Sequence, residues 1–177
     1  MNVGEEQITQ NGEQIKELTY NKKIKVNKKV YSAIDEADLI IFSPGSLYTS
    51  VLPHLIIPSV AERINNSKAK KMYVCNLFTQ PGETDGFGVS DHLKVLMKYV
   101  EVDAVVANSA KLPKKELKNY MTKEQKDQVR LDSKKVRDLG VEVIGDSIYT
   151  LEDNIIRHDA LKSAYLIFSY LMRSDNK

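Results

Sequence analysis

The sequence predicts an α/β fold, a mostly parallel sheet flanked by helices, forming one domain over residues 1–177. Three observations carry that expectation. Apolar runs of strand length recur along the chain, amphipathic helical stretches separate them, and 177 residues with 42% apolar and 28% charged side chains have a globular balance. Strands alternating with helices imply βα units on a parallel sheet. A domain of about 150 residues hides roughly 68–70% of the surface its unfolded chain exposes, so a core forms without covalent staples. The one cysteine, Cys75, has no internal partner, a usage that fits a reducing compartment. No apolar run approaches the ~20 residues that span a bilayer. The Glu/Gln/Asn-rich N-terminus carries no signal-peptide core. A cytoplasmic protein without a membrane partner is expected. The net charge of +2, from 26 Lys+Arg against 24 Asp+Glu, gives no ground for a nucleic-acid partner.

Taken in order, residues 1–30 are polar and read as an N-terminal strand or arm, with alternation over Gln14–Tyr20. Lys22, Lys23, Lys25, Lys28 and Lys29 form a basic cluster without aromatics for base stacking, and so a solvated loop. Leu39-Ile40-Ile41-Phe42 reads as a buried strand. Ser59 and Glu62 have capping-box spacing and open a helix through Ile64. Lys68 to Lys71 leads into a strand over Met72–Phe78. Leu93, Leu96, Met97 and Val100 fall at i, i+3, i+4 and i+7, a helix face aimed at the sheet, with Ser90 or Asp91 as N-cap. Asp103–Asn108 is the next strand. Lys114 to Gly140 reads as a solvated helical pair, with Pro113 at its start and Gly140 at its stop. A strand at Val141–Ile144 follows, then a last helix whose stripe of Leu161, Ala164, Tyr165, Phe168, Leu171 and Met172 is expected to pack on the sheet.

Ligands of open parallel sheets collect at the carboxyl ends of strands, which directs attention to the loops there. The first, Ser43–Ser50, offers Gly45 for close backbone approach, with Ser46, Thr49 and following N–H groups as phosphate donors. The bland alternative is a Pro-Gly turn with hydroxyl caps. The second, Asn76–Asp91, holds three glycines in seven residues and the carboxylates Glu83, Asp85 and Asp91. These could hold Mg²⁺ through water or accept sugar hydroxyls, although their spacing matches no closed metal site; otherwise the loop is simply acidic and solvated. The third, Asn154–Asp159, contains Arg157, suited to bidentate phosphate contact, beside His158, the bland alternative being a solvated arginine near a helix start. Cys75 reads as buried filler, His54 as a packing or capping residue, and His92 as a poor acid in a helix first turn.

The strings Ala37-Asp38-Leu39-Ile40-Ile41, Pro44-Gly45-Ser46-Leu47-Tyr48-Thr49-Ser50-Val51-Leu52-Pro53, Tyr73-Val74-Cys75-Asn76, Thr79-Gln80-Pro81-Gly82-Glu83-Thr84-Asp85-Gly86 and Ser90-Asp91-His92 resemble the YvcK/CofD-like family, and its YvcK branch most. The resemblance implies a three-layer Rossmann-like fold. It covers nearly the whole chain but only the C-terminal half of such proteins, because the family's GGTG loop and DDGGSSG segment do not occur. A fragment, a split gene product or a truncated version would each fit. Ser43, His54, Ser59 and Phe87-Gly88 depart from the family pattern.

For function, the YvcK branch implies a gluconeogenesis factor that binds a nucleotide or UDP-sugar and regulates carbon metabolism, cell shape and cell wall synthesis. Pro44, Gly45, Ser46, Tyr48 and Thr49 would then line the crevice. Asn76, Thr79 and Gln80 would add amide and hydroxyl contacts. Glu83, Thr84, Asp85 and Gly86 would meet sugar hydroxyls or Mg²⁺, with Asp85 the candidate metal ligand, and Arg157 and His158 would meet phosphate. No catalytic residue is assigned. The alternatives are a 2-phospho-L-lactate transferase-like enzyme and a non-catalytic half-domain that assembles with its missing half or with another copy of itself.

Overall fold

A computed structural model describes residue 15 and residues 17–174. Four parallel strands form one sheet in the order β1 (Leu39–Phe42), β2 (Lys70–Val74), β3 (Ala104–Asn108) and β4 (Glu142–Asp146). Spatial order equals chain order, so every crossover steps the same way, from β1 towards β4. The register pairs Leu39 with Lys70, Met72 with Ala104 and Ala104 with Glu142. All five residues of β3 are buried, as befits a central strand. β1 is an edge, and Ile41 on it stays 43% exposed.

Side chains alternate across the strands and divide the core in two. Phe42, Tyr73, Cys75, Val105 and Ala107 face one layer of helices: α1 (Lys28–Asp35), α2 (Leu52–Leu55), α3 (Pro58–Asn66), α4 (Val89–Leu96) and α6 (Ser133–Asp138). Leu52, Ile64, Leu93, Leu96 and Val136 fill that core. Met72, Val74, Ala104, Val106 and Ile144 face the other side. There the cover is α5 (Lys114–Lys123), a hairpin of β5 (Tyr149–Glu152) with β6 (Ile155–His158), and α7 (Ala160–Ser174). Among the described residues no helix is long and apolar enough to cross a membrane.

The strand over Leu39–Phe42 and the parallel α/β architecture agree with the sequence reading, but the strand is not the buried one expected, since of its four residues only Phe42 is buried. Several local features differ. β2 begins at Lys70 and ends at Val74, so Cys75–Phe78 leave the sheet, although the Cys75 N–H still donates to Val106 O at 2.9 Å. Helix α3 starts on Pro58 with Ile57 at its N-cap, and Ser59 bonds Tyr31 across 2.8 Å instead of capping. Proline at the first helical position needs no donor there, which moved the start by two residues. Gly88, not Ser90 or Asp91, is the N-cap of α4, and the Asp91 carboxylate reaches back to the Gly88 N–H at 3.1 Å.

The Lys114–Gly140 stretch does hold two helices, but it is not merely solvated, since Val129 and Val136 are buried between the elements. The predicted stripe of α7 is reversed: Leu166, Ile167 and Tyr170 face the core, while Leu161, Tyr165 and Phe168 point to solvent. Residues 17–27 lie in no strand, α1 begins at Lys28, and the remainder of the expected N-terminal strand falls outside the described residues. Ile15, Leu18 and Val26 nevertheless pack against the larger core.

Candidate functional site

The loop after β1 is fixed before any ligand arrives. Both groups of the Asn76 amide grip one residue: the Gly45 N–H donates to Asn76 Oδ1 at 2.9 Å, and Asn76 Nδ2 donates to Gly45 O at 2.7 Å. A Cβ on Gly45 would lie 3.2 Å from Ser50 Cβ, so a side chain there would force the loop to shift. Ser46 caps the π-helical turn Leu47–Val51, accepting from the Thr49 N–H at 3.3 Å and from Thr49 Oγ1 at 2.5 Å.

Glu83 ties the second loop to this turn. Its carboxylate, 3% exposed, accepts from Ser46 Oγ, from the Tyr48 N–H at 3.3 Å and from Thr49 Oγ1 at 3.4 Å. A buried carboxylate is favourable there because first-turn N–H groups aim at it. Tyr48 is buried too, and burial raises its phenol above the ordinary range. Ser46, Tyr48, Thr49 and Glu83 therefore make an internal network that joins the two loops.

The rest of the second loop is held locally. Thr79 pairs with Asp127, its N–H donating to Asp127 O at 2.8 Å and its Oγ1 accepting from the Asp127 N–H at 2.9 Å. Buried Thr84 accepts from the Gln80 N–H at 2.8 Å. Gly82 and Gly86 have φ of 77° and 71°, a left-handed conformation that glycine tolerates. Asp85 and Gly86 are exposed at the tip, with Asp85 Oδ2 accepting from the Gly82 N–H at 2.7 Å.

A cleft of about 380 Å³ opens at the carboxyl ends of β1 and β2 and against β6. It gathers Pro44 and Gly45 from the first loop, Asn76, Thr79 and Gln80 from the second, and Arg157 and His158 from β6. Seven predicted residues thus share one cavity although they come from three separate segments. Ser46, Tyr48, Thr49, Glu83, Thr84, Asp85 and Gly86 are not among its lining residues.

Lys126 lines the same cleft and was missed by the sequence reading. It lies in a charged run just past α5, and Gln125 at φ 53° helps turn the chain there; no periodicity flags such a residue. Lys126 pairs with Glu124 at 2.7 Å, whereas among the described residues exposed Arg157 has only a long contact of 3.9 Å with Glu152. Among the described residues His158 Nδ1 is buried without a hydrogen-bond partner, and burial holds the imidazole below its usual pKa. The walls thus carry two cations, a neutral imidazole and amide groups, a set that suits an anionic ligand with hydrogen-bonding ends.

Other titratable groups stand outside this arrangement. Cys75 is fully enclosed, and burial pushes its thiol up to about 12, which makes it a packing residue. His92 is buried with Nδ1 on Gly88 O at 2.9 Å, and burial holds it below the usual imidazole range. His54 is exposed in the last turn of α2, where it neither packs nor caps. Among the described residues no three His, Cys, Asp or Glu side chains come together as a metal-binding group.

Comparison with known proteins adds a second line of observation. A family model described as 2-phospho-L-lactate transferase CofD matches residues 1–149. The chain is 38% identical over 172 residues to the gluconeogenesis factor of Bacillus subtilis (strain 168), covering 95% of this chain and 54% of that protein. It is 39% identical over 164 residues to the gluconeogenesis factor of Halalkalibacterium halodurans, covering 90% and 51%. A crystal structure of a UPF0052-family protein from Bacillus halodurans superposes with a TM-score of 0.87 at 38% identity, over 92% of this chain and 53% of that one. The chain spans about half the length of the curated relatives it matches.

Proposed function

This chain belongs to the CofD family, alongside its gluconeogenesis factors, and from that premise we propose that its cleft binds the phosphates of a nucleotide or UDP-sugar in a regulatory role. The carrying observation is the place of the cleft. In open α/β sheets the ligand crevice lies outside the carboxyl ends of the strands, where the winding direction reverses. Among the described strands all crossovers run from β1 towards β4, so strands added beyond β1 would put the reversal beside β1, and β1 ends at the cleft. Arg157, Lys126 and His158 would meet the phosphates, while Gly45 and Gln80 would offer close backbone and amide contacts. Asn76 would act by holding Gly45 in place.

Mg²⁺ would arrive already coordinated by the nucleotide's phosphates, and Asp85, exposed at the loop tip beside the cleft and bonded to the Gly82 N–H, would have to turn towards it to serve as a ligand. The regulatory role would extend to carbon metabolism, cell shape and wall synthesis. Calorimetric titration with UDP-N-acetylglucosamine tests the reading. Saturable binding is expected, and Arg157→Ala should weaken it by about 1.5–3 kcal/mol through loss of charge-assisted hydrogen bonds. Unchanged affinity in that variant would remove Arg157 from the site. No binding by the chain, alone or combined with the half its relatives possess in addition, would overturn the reading.

A second reading follows from the description of the matching family model, a 2-phospho-L-lactate transferase. Turnover with a deazaflavin acceptor separates it from a binding protein.

A further inference from the structure

We propose that Thr79 is a positioning residue for Lys126: its clasp on the main chain of Asp127 sets the lysine against the ligand's phosphates, and Thr79 makes no essential contact with the ligand itself. The proposal rests on the reading of the cleft as a phosphate site.

Lys126 needs support from outside its own segment. It follows α5 in an irregular stretch, next to Gln125 at φ 53°, a left-handed conformation that a non-glycine residue adopts at a cost. Its N–H donates to Tyr120 O at 3.2 Å, which ties it to the end of α5. On its other side the chain runs antiparallel to the second loop. The Val129 N–H donates to Leu77 O at 2.9 Å, Gln128 forms a bridge with Phe78, and Asp127 meets Thr79.

Thr79 closes that ladder at the cleft end with two bonds to one residue. Its N–H donates to Asp127 O at 2.8 Å, and the Asp127 N–H donates to Thr79 Oγ1 at 2.9 Å. A regular antiparallel pair would send the second bond to a main-chain carbonyl, so the side chain here stands in for the ladder's acceptor. Thr79 is 3% exposed, which leaves little of it open to a ligand. Lys126 is the next residue along, and it lines the cleft. Its ammonium pairs with Glu124 at 2.7 Å, but that carboxylate is half exposed, so the pair is screened and a phosphate can take the ammonium over. A flexible lysine stem gives no order by itself, and a charge assists binding most when it is held in place beforehand. Without the Oγ1 acceptor, the last rung keeps one bond and the left-handed turn beyond it is free to relax.

Calorimetric titration with UDP-N-acetylglucosamine, of the chain alone or combined with the half its relatives possess in addition, tests this through a double-mutant cycle. Thr79→Val, which keeps the shape and removes the acceptor, should weaken binding about three- to tenfold. Lys126→Met should weaken it similarly, and adding Thr79→Val to Lys126→Met should change nothing further. Thr79→Ser, which keeps the acceptor, should bind as wild type does. Added salt should weaken binding less steeply in Thr79→Val and in Lys126→Met alike, because one cation has left the site; a purely structural role would leave that dependence as it is. Unchanged affinity in Thr79→Val overturns the proposal. So does an equal loss in the Lys126→Met background, which would make Thr79 a direct contact. If Thr79→Val does not fold, hydrogen exchange of the wild type decides: the Asp127 amide should exchange as slowly as that of Val129, and fast exchange overturns the proposal. No binding by the wild type removes the phosphate reading and this proposal together, whereas wild-type binding with Thr79→Val unchanged removes this proposal alone.

Discussion

Glu83 shows how a residue type suited to binding can serve the scaffold. From sequence it is a carboxylate in a glycine-rich loop, as available to a sugar hydroxyl as Asp85 two residues on. In the fold it is buried among donors from the Leu47–Val51 turn, and Asp85 is the one left at the surface. Removing an acceptor from buried donors costs more than the net value of the bonds, because the donors lose water as well as partner. Glu83→Ala should therefore destabilise the fold by about 2–3 kcal/mol in urea titrations, and Glu83→Gln, which keeps one acceptor oxygen and the volume, by less. Equal midpoints for wild type and Glu83→Ala would show that the network contributes nothing to stability.

Helix α4 makes the corresponding point for an element. The apolar spacing of Leu93 and Leu96 located it, because buried faces recur with the helical period. Its start was not legible, because the group that satisfies it is distant in sequence. Asp132 accepts from the Ser90 N–H at 2.9 Å and from Ser90 Oγ at 2.5 Å, and a Cβ on Gly88 would come within 3.0 Å of that carboxylate. Asp132→Ala should cost about 1–2 kcal/mol, the usual range for a lost cap, and Asp132→Asn less. Unfolding midpoints of the two variants check this, and no loss in Asp132→Ala would refute the capping role.

The same distinction runs through the other elements. β3 announced itself as a continuous apolar run because both faces of a central parallel strand are covered, whereas β1 is equally apolar in sequence although Ile41 on it stays exposed. The stripe of α7 was assigned to the wrong side because the helix is apolar on two faces, and periodicity alone cannot say which meets the sheet. Arg157 was legible as a phosphate ligand type, but Lys126 joins it only through tertiary placement, beside a turn at Gln125.

For the whole molecule, the open edge of β1 is the feature with most consequence. Among the described residues β1 is paired on one side only, which leaves the outward N–H groups of a parallel strand without a ladder partner there, whereas β3 is bonded on both sides and wholly buried. Local opening is cheapest where few apolar contacts hold the backbone, and β1 is short with Ile41 exposed. Hydrogen exchange of the chain by itself should find the amides of Leu39–Phe42 far less protected than those of Ala104–Asn108. Because the cleft rests on the loop leaving β1, a bound nucleotide should slow exchange at Gly45 and in the following turn, and leave β4 unchanged. Equal protection of β1 and β3 without ligand would mean that the edge is already covered in solution.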